Sequence, residues 1–269
     1  RRAKGTMTTR FPLFPYYCRS VLRAVIIVTI TLVGHDGLAQ TVGTPKPESQ
    51  RILVFGATGE VGGFIVDEAL DRGHRVVAVT RNPEAYEKRA SNLQVARADL
   101  LDPESIESLL ENIDVVVVSV RGVIGEKAGE NALQHIAARN VVAAIRSAGN
   151  DAQRLVHIGG AGSLEAEPGV LLADKLPRLF LPKGLEAEID GQVLALDFLR
   201  GVDDVQWTYA TPPRRFTNGD RTGQYRIGSD HMLRDQRGRS RVSRADFAVA
   251  IVDEIERHDF PFARFSVAY

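Results

Sequence analysis

The sequence has 269 residues, of which 44% are hydrophobic and 25% are charged, with 34 basic and 34 acidic side chains. This composition is typical of a globular protein and excludes a wholly disordered, collagenous or coiled-coil chain. The single cysteine, Cys18, excludes an intrachain disulfide and a zinc site built from cysteines. Residues 51–269 hold 27 of the basic and 32 of the acidic side chains, a net charge of −5, which argues against nucleic acid as a partner.

The first fifty residues have the pattern of a targeting segment. Residues 1–6 precede Met7 and are interpreted as a cloning remnant. A basic stretch then leads into the uncharged apolar run 24–34 and the small-residue sequence at 37–39, which together predict a secretory signal peptide. As a helix this apolar run would span about 16 Å, against roughly 30 Å of hydrocarbon, so no permanent membrane anchor is expected.

The N-terminal pattern therefore divides the chain into residues 1–39, a remnant and signal peptide, 40–50, a linker rich in Pro, Ser and Thr, and 51–269, one domain. This division predicts an exported or periplasmic protein. A wrongly assigned start codon or a buried N-terminal helix is the alternative, and it implies a cytoplasmic protein.

From residue 51 onward, short β-rich runs alternate with segments of helical periodicity. The predicted strands are, in chain order, 52–55, 75–80, 93–96, 115–120, 154–158, 205–210 and 263–268. The predicted helices are 60–72, one that begins at Pro103 with Asp102 as its N-cap, 128–148, 185–199 and 245–257. The alternation predicts an α/β Rossmann fold, a single domain with a doubly wound parallel sheet and helices on both faces. The long loops 159–184 and 212–240 are expected to carry the substrate-facing surface.

A glycine pattern, G-x-x-G-x-x-G, stands between the first strand and the first helix. Gly56 allows a tight turn, Gly59 leaves room for a pyrophosphate, and Gly62 lets the helix approach the sheet closely. The free N–H groups of the first helical turn would then face the phosphates. In this context of strand, turn and helix, the pattern predicts a dinucleotide site.

The end of the second predicted strand indicates which dinucleotide is bound. Thr80, Arg81 and Asn82 stand there, and no acid occurs before Glu84 to bind a free ribose 2′-hydroxyl. Because a guanidinium pairs with a 2′-phosphate, the sequence favours NADP over NAD, with a solvated loop arginine as the alternative. Asp99 either accepts from the adenine amino group or caps a helix together with Asp102.

The residues expected to contact the cofactor share a position at the ends of the first four strands. They are Gly56, Thr58, Gly59, Glu60, Val61, Gly62, Arg81, Asn82, Asp99, Leu100, Ser119, Val120 and Arg121.

Six segments resemble the short-chain dehydrogenase/reductase superfamily. They are GATGEVGG at 56–63, VTRNPE at 79–84, ADLLDPES at 98–105, HIGGAGSLE at 157–165, WTYATPP at 207–213 and RVSRADFAVAIVDEIE at 241–256. The last three look most like the atypical NAD(P)H-binding branch, which includes NmrA-like proteins, biliverdin- and flavin-reductase-like proteins and sugar-epimerase-like proteins. The resemblance covers about residues 51–269.

The superfamily's usual proton-transfer pair, Tyr-x-x-x-Lys, is absent, because no tyrosine of this chain has a lysine four positions later. Three residues are candidate substitutes: Ser163, where the superfamily places a substrate-binding serine, Lys183, just before a predicted helix, and Tyr209, at the end of a strand. Each also has an ordinary interpretation, as a turn serine, a solvated lysine and a strand residue. His157 is expected to be a hydrogen-bonded core residue.

The leading functional hypothesis is an NADP(H)-dependent oxidoreductase that transfers hydride to a flavin, a quinone or a small carbonyl acceptor without a Tyr-x-x-x-Lys pair. A dinucleotide-binding sensor of the NmrA type and a cofactor-retaining isomerase or epimerase are the alternatives. Nine arginines between residues 214 and 244 could bind an anionic substrate or form a solvated surface. The sequence leaves the substrate and the oligomeric state open.

Overall fold

The computed structural model describes residues 48–269 except 126–127 and 151–152, and it does not describe the side chain of Lys183. The predicted signal peptide and nearly all of the predicted linker lie outside these residues. Within the described part of the chain, no helix is both long enough and apolar enough to cross a bilayer.

The described chain alternates strands and helices in the predicted order. The helices are α1 (Glu60–Asp71), α2 (Pro103–Glu107), α3 (Leu133–Ala148), α4 (Lys183–Arg200) and α5 (Arg244–Arg257). The strands are β1 (Arg51–Phe55), β2 (Arg75–Thr80), β3 (Leu93–Arg97), β4 (Val115–Val118), β5 (Arg154–Ile158), β6 (Glu165–Glu167), β7 (Val170–Leu171), β8 (Gln206–Thr211), β9 (Arg215–Thr217), β10 (Arg226–Gly228), β11 (Arg241–Ser243) and β12 (Ala263–Ala268).

The central sheet has eight strands in the order β10-β12-β8-β5-β4-β1-β2-β3. All neighbours are parallel except β10, which runs antiparallel to β12. The order reverses between β1 and β4, as in a doubly wound sheet, and ligands bind at the carboxyl ends of the strands beside such a reversal. The predicted Rossmann fold in a single domain is confirmed.

The apolar strands explain why helices cover both faces. Successive side chains of β1 alternate between two cores: Leu53 and Phe55 pack with one, and Ile52 and Val54 with the other. Helices α2, α3 and α4 cover the first face, while α1 and α5 cover the second. The sequences of strands that are buried on both faces are nearly unbroken apolar runs, and such runs are easily recognised in the sequence.

The helix predicted over 128–148 was wrong at its start, because α3 begins only at Leu133. Residues 129–131 form one 3₁₀ turn, and Leu133 N–H donates to Gly122 O at 2.8 Å. At Gly129 a Cβ would lie 2.8 Å from Cβ of Asp190 on α4, so this segment is shaped by packing against α4. The predicted loops also contain four short strands, β6, β7, β9 and β10, and β10 extends the main sheet at one edge.

The loop before β10 is fastened to α5 by one buried carboxylate. Asp246, fully buried in α5, accepts hydrogen bonds from Thr222 N–H, Thr222 Oγ1 and Gly223 N–H, each at 2.7 Å, and from Tyr269 Oη at 2.6 Å. Burial alone would raise the pKa of Asp246, but the hydrogen bonds from Tyr269 and Thr222 hold it below its ordinary value. The carboxylate therefore stabilises the folded protein.

We expect Asp246→Asn to lower the free energy of unfolding by about 2–3 kcal/mol at pH 7, because its amide group would face donors that need an acceptor. Since folding lowers the pKa of Asp246, the stabilisation is complete above its unfolded-state pKa of about 4 and is lost as the pH falls below that value. Urea unfolding of both proteins at pH 7 and at pH 3 measures this.

Asp71→Asn is the matched control, because the exposed Asp71 carboxylate makes no hydrogen bond or ion pair in the described chain. It should unfold like the parent at both pH values. A deficit in Asp246→Asn that is as large at pH 3 as at pH 7 would contradict the assignment.

Candidate functional site

A cleft follows the carboxyl ends of the strands at the reversal in strand order. One part, the β2-side cavity, has a volume of about 430 Å³ and lies at the ends of β1, β2 and β3. The other, the β5-side cavity, has about 530 Å³ and lies at the ends of β4, β5 and β8. Gly59, Ser119, Val120 and Arg121 line both cavities, so the two form one continuous cleft across the N-terminus of α1.

The glycine turn between β1 and α1 has no room for side chains. Gly56 has a φ of +80°, and a Cβ there would lie 2.0 Å from Ser119 O. At Gly62 a Cβ would lie 2.1 Å from Gly56 O. Helix α1 has Gly59 as its N-cap residue and no side-chain cap, so the N–H groups of its first turn are available to a ligand in the cleft. The turn has the form that a pyrophosphate requires.

Arg81 lies at the end of β2 and lines the β2-side cavity together with Thr58 and Asn82. Its exposed side chain makes no hydrogen bond or ion pair with the part of the chain that the structure describes. The nearby Glu84 is instead paired with Arg97 at 3.2 Å. A free guanidinium therefore faces the cavity where an adenosine ribose would lie.

Asp99 and Leu100 also line the β2-side cavity. Asp99 Oδ1 accepts from Leu101 N–H at 3.0 Å and so closes a local turn, while Asp102 alone caps α2 by accepting from Glu104 N–H at 3.1 Å. Asp99 therefore does not share the capping of α2, and its carboxylate has further lone pairs for a ligand.

The remaining predicted cofactor contacts are also in the cleft. Glu60 and Val61 line the β5-side cavity, and Ser119, Val120 and Arg121 lie where the two cavities meet. Gly62 is buried behind the turn. The predicted cofactor residues are thus brought together, and their roles stay a prediction.

Two of the three predicted proton-transfer residues are not at the surface of the cleft. Tyr209 is fully buried and donates from its hydroxyl to Gln192 O at 2.8 Å, and burial raises its pKa. Ser163 is buried and donates to Gly160 O at 2.9 Å. A Cβ at Gly159 would lie 2.1 Å from the Tyr209 ring, so Tyr209 supports the loop after β5 from beneath. Neither side chain reaches a ligand in this arrangement, contrary to the role predicted for them.

Lys183 is the first residue of α4, and its side chain lies outside the described part of the structure. His157 is a core residue as expected: its ring stacks on Tyr209 with centroids 5.4 Å apart, and burial lowers its pKa to about 3. The expected hydrogen bond is absent, because neither ring nitrogen has a partner within the described residues.

The cleft contains polar groups that the sequence did not reveal. On α4, Glu188 and Gln192 are spaced i, i+4 and line the β5-side cavity, on the helix that follows the fifth strand. Glu188 Oε2 accepts from Arg121 Nη2 at 3.0 Å, and the Glu188 side chain is only 14% exposed. Glu188 and Gln192 thus have the same spacing as the residues of a Tyr-x-x-x-Lys pair. The sequence signal for them is a pair of polar residues at i, i+4 on the helix predicted after the fifth strand.

Gln134, in the first turn of α3, faces the same cavity. It is 3% exposed, and its amide oxygen has no hydrogen-bond partner within the described residues. The amide oxygen of Gln192 is likewise buried without a partner. Because an unpaired buried acceptor is costly, these groups are suited to meet N–H donors of a ligand.

The comparisons with known proteins agree with this geometry. The model of a family described as NAD(P)H-binding matches residues 56–258. The protein YwnB of Bacillus subtilis is 32% identical over 225 residues, which cover 81% of this chain and 97% of YwnB. The chain belongs to the NAD(P)H-binding family, in the atypical branch of the short-chain dehydrogenase/reductase superfamily.

Solved structures show the same fold over most of the chain. A protein of Burkholderia pseudomallei assigned as exported is 36% identical, with a TM-score of 0.68, over 82% of this chain and all of the other. A protein of Bacteroides thetaiotaomicron assigned as an epimerase is 30% identical, with a TM-score of 0.72, over 82% and 98% of the two chains. A Streptococcus pneumoniae protein assigned as an NADH-flavin reductase is 26% identical, with a TM-score of 0.66, over 82% and 99%.

Proposed function

We propose that this protein is an NADP(H)-dependent oxidoreductase that transfers hydride to a small-molecule acceptor: a flavin, a quinone or a small carbonyl compound. One observation carries the proposal: a continuous cleft crosses the glycine turn, with the unpartnered guanidinium of Arg81 at one end and polar side chains at the other. The relative assigned as an NADH-flavin reductase supports a flavin acceptor, although its name gives the other nicotinamide cofactor.

The residues present fit the cofactor along its whole length. Arg81 would bind the 2′-phosphate, and the N–H groups at the start of α1 would bind the pyrophosphate. On the β5 side, the unpaired amide oxygen of Gln134 would accept from the nicotinamide carboxamide. When bound, the nicotinamide supplies two electrons and a hydrogen nucleus as hydride.

The composition of the β5 side favours acceptors that need little acid catalysis. Glu188 accepts a hydrogen bond from Arg121 within an ion pair, so its carboxylate acts as an acceptor in this arrangement. The Tyr-x-x-x-Lys pair is absent from the sequence, and the i, i+4 pair on α4 that lines the cavity is Glu188 and Gln192, so the proposed product takes its proton from water. Flavins and quinones accept hydride under these conditions more readily than simple ketones, because their reduced anions are stabilised by conjugation.

A second candidate function is that of a dinucleotide sensor, which retains the cleft but catalyses no turnover. The missing Tyr-x-x-x-Lys pair is compatible with it. A cofactor-retaining epimerase, as the Bacteroides relative is assigned, needs a proton-accepting group in the cleft, and Glu188 is a candidate for it.

We also propose export of the protein, directed by residues 1–39, in line with the relative of Burkholderia pseudomallei that is assigned as exported. A mature protein that begins at Gln40 in mass spectrometry is the expected result. An intact leader on the protein in the cytoplasm would contradict it.

Replacement of Arg81 by Glu should weaken NADPH binding at least about tenfold and leave NADH binding nearly unchanged, because the removed charge faces only the 2′-phosphate. Titration with both nucleotides, followed by nicotinamide fluorescence, measures this. Arg75→Glu is the control, since Arg75 is an exposed and unpaired arginine at the opposite end of β2. Equal losses for both nucleotides would contradict the assignment of Arg81, and failure of the parent to bind either would contradict the function.

Replacement of Gln134 by Leu should weaken NADPH binding about five- to tenfold, because one hydrogen bond to the nicotinamide end is lost. Binding of 2′,5′-ADP, which has no nicotinamide, should not change. Calorimetric titration with both ligands separates the two ends of the cleft. Equal weakening of both would show that the substitution disturbs the site as a whole.

The parent protein should oxidise NADPH with flavins and quinones in preference to simple ketones, since water alone supplies the proton. Absorbance at 340 nm over a panel of acceptors measures the turnover. Tight NADPH binding without turnover on any acceptor would favour the sensor instead.

A further inference from the structure

The nine arginines between residues 214 and 244 separate into groups in the folded protein. Arg214 and Arg244 line the β5-side cavity, and Arg221 pairs with Glu68 at 2.6 Å. Four others line a different concavity of about 760 Å³, which we call the arginine cavity. They are Arg215, Arg226, Arg239 and Arg241.

The arginine cavity is distinct from the cleft. Strands β9 and β11 form a two-stranded parallel ribbon, and the side chains of β9 alternate across it. Arg215 and Thr217 face the arginine cavity, whereas Phe216 between them lines the β5-side cavity. No lining residue is common to the two cavities, so a ligand in one does not occupy the other.

Two of the arginines are placed in register on the ribbon. Arg215 on β9 is the direct partner of Arg241 on β11, so their side chains project from neighbouring strands on the same face. Strands in a sheet lie about 4.8 Å apart, and like charges in directly opposed positions destabilise the pair. Placing these two positive charges side by side costs the fold energy, and an anion between them would remove the repulsion.

Neither guanidinium of this pair forms an ion pair within the described residues. The Arg215 side chain makes no hydrogen bond there, and the Arg241 guanidinium lies 5.3 Å from the Tyr269 ring centroid, over the ring face. Arg239 is neutralised by Asp235 at 2.8 Å. Among the described side chains that line the cavity, Asp220 is the one that carries a carboxylate.

Arg226 contributes less to the positive charge. It donates to the main-chain oxygens of Arg234, at 2.9 Å, and Tyr269. The positive charge that remains is therefore centred on Arg215 and Arg241. It contrasts with the net negative charge of residues 51–269.

We propose that the arginine cavity is a second binding site, for a small molecule that carries a phosphate monoester, with Arg215 and Arg241 as the pair that holds the phosphate. A phosphate monoester has three terminal oxygens and can accept two forked guanidinium contacts at once, whereas a carboxylate offers one such edge. Thr217, beside Arg215 on the same face of β9, adds a hydroxyl. The volume is that of a small-molecule pocket and exceeds what a single inorganic phosphate needs.

The test is calorimetric titration of the full chain with phenyl phosphate, inorganic phosphate and benzoate. Phenyl phosphate and benzoate share a ring and differ in the anion, and neither carries an adenine that could enter the cleft. We expect phenyl phosphate to bind at least about tenfold more tightly than benzoate, with an affinity that falls as salt is raised. Inorganic phosphate binding as tightly as phenyl phosphate would overturn the proposal of an organic ligand.

Arg215→Ala is the decisive variant, because it removes a side chain without hydrogen bonds in the described chain and should not disturb folding. We expect it to weaken phenyl phosphate binding about tenfold or more, and Arg215→Lys to restore part of the affinity, because lysine keeps the charge without the fork. Arg237→Ala is the matched control, an exposed arginine of the same segment that does not line the cavity.

Two further readouts separate this site from the cleft. Arg215→Ala should raise the melting temperature of the ligand-free protein, since it relieves the repulsion with Arg241. It should also abolish the increase in melting temperature that phenyl phosphate causes in the parent. Arg81→Glu should leave phenyl phosphate binding unchanged. Binding that survives in Arg215→Ala, or that is lost in Arg81→Glu instead, would overturn the proposal without affecting the function proposed for the cleft.

Discussion

The site depends on a steric constraint at the junction of β1 and α1. At Gly56 and Gly62, any side chain would lie about 2 Å from backbone oxygens, those of Ser119 and of Gly56 itself. Because the backbones pack this closely, α1 begins directly at the point where the strand order reverses. Its unpaired N–H groups are therefore directed into the cleft, and the two cavities on either side of the turn become one site.

Close packing against glycines also shapes the β5-side wall of the cleft, where side chains rather than backbone atoms fill the space. Gly159 and Gly160 present bare Cα atoms because the Tyr209 ring and the Gln192 amide occupy the space where their side chains would be. Tyr209 fixes this wall through its hydrogen bond to Gln192 O and its contact with His157. Tyr209 thus supports the wall from beneath, and the polar side chains of α3 and α4 that line the cavity are Gln134, Glu188 and Gln192.

The arginines between residues 214 and 244 differ in their partners. Where an arginine meets a carboxylate, as Arg221 meets Glu68, it ties distant elements together, and Glu68 also accepts from Arg72 at 2.7 Å. Arg215 and Arg241 are instead register partners on β9 and β11, where like charges repel, and neither guanidinium forms an ion pair within the described residues. In such an arginine-rich segment, the partners of each side chain distinguish an arginine that stabilises the fold from one that is available to a ligand.

The sequence by itself determined the order of strands and helices, the Rossmann fold and the glycine turn, because buried parallel strands and their turns have strong local patterns. It also placed Arg81 at the end of β2. The tertiary structure alone decided that Ser163 and Tyr209 lie beneath the cleft, that Gln134, Glu188 and Gln192 face it, and that β10 extends the sheet. These features depend on which face of a helix meets which loop, and such contacts between residues distant in sequence leave no local pattern.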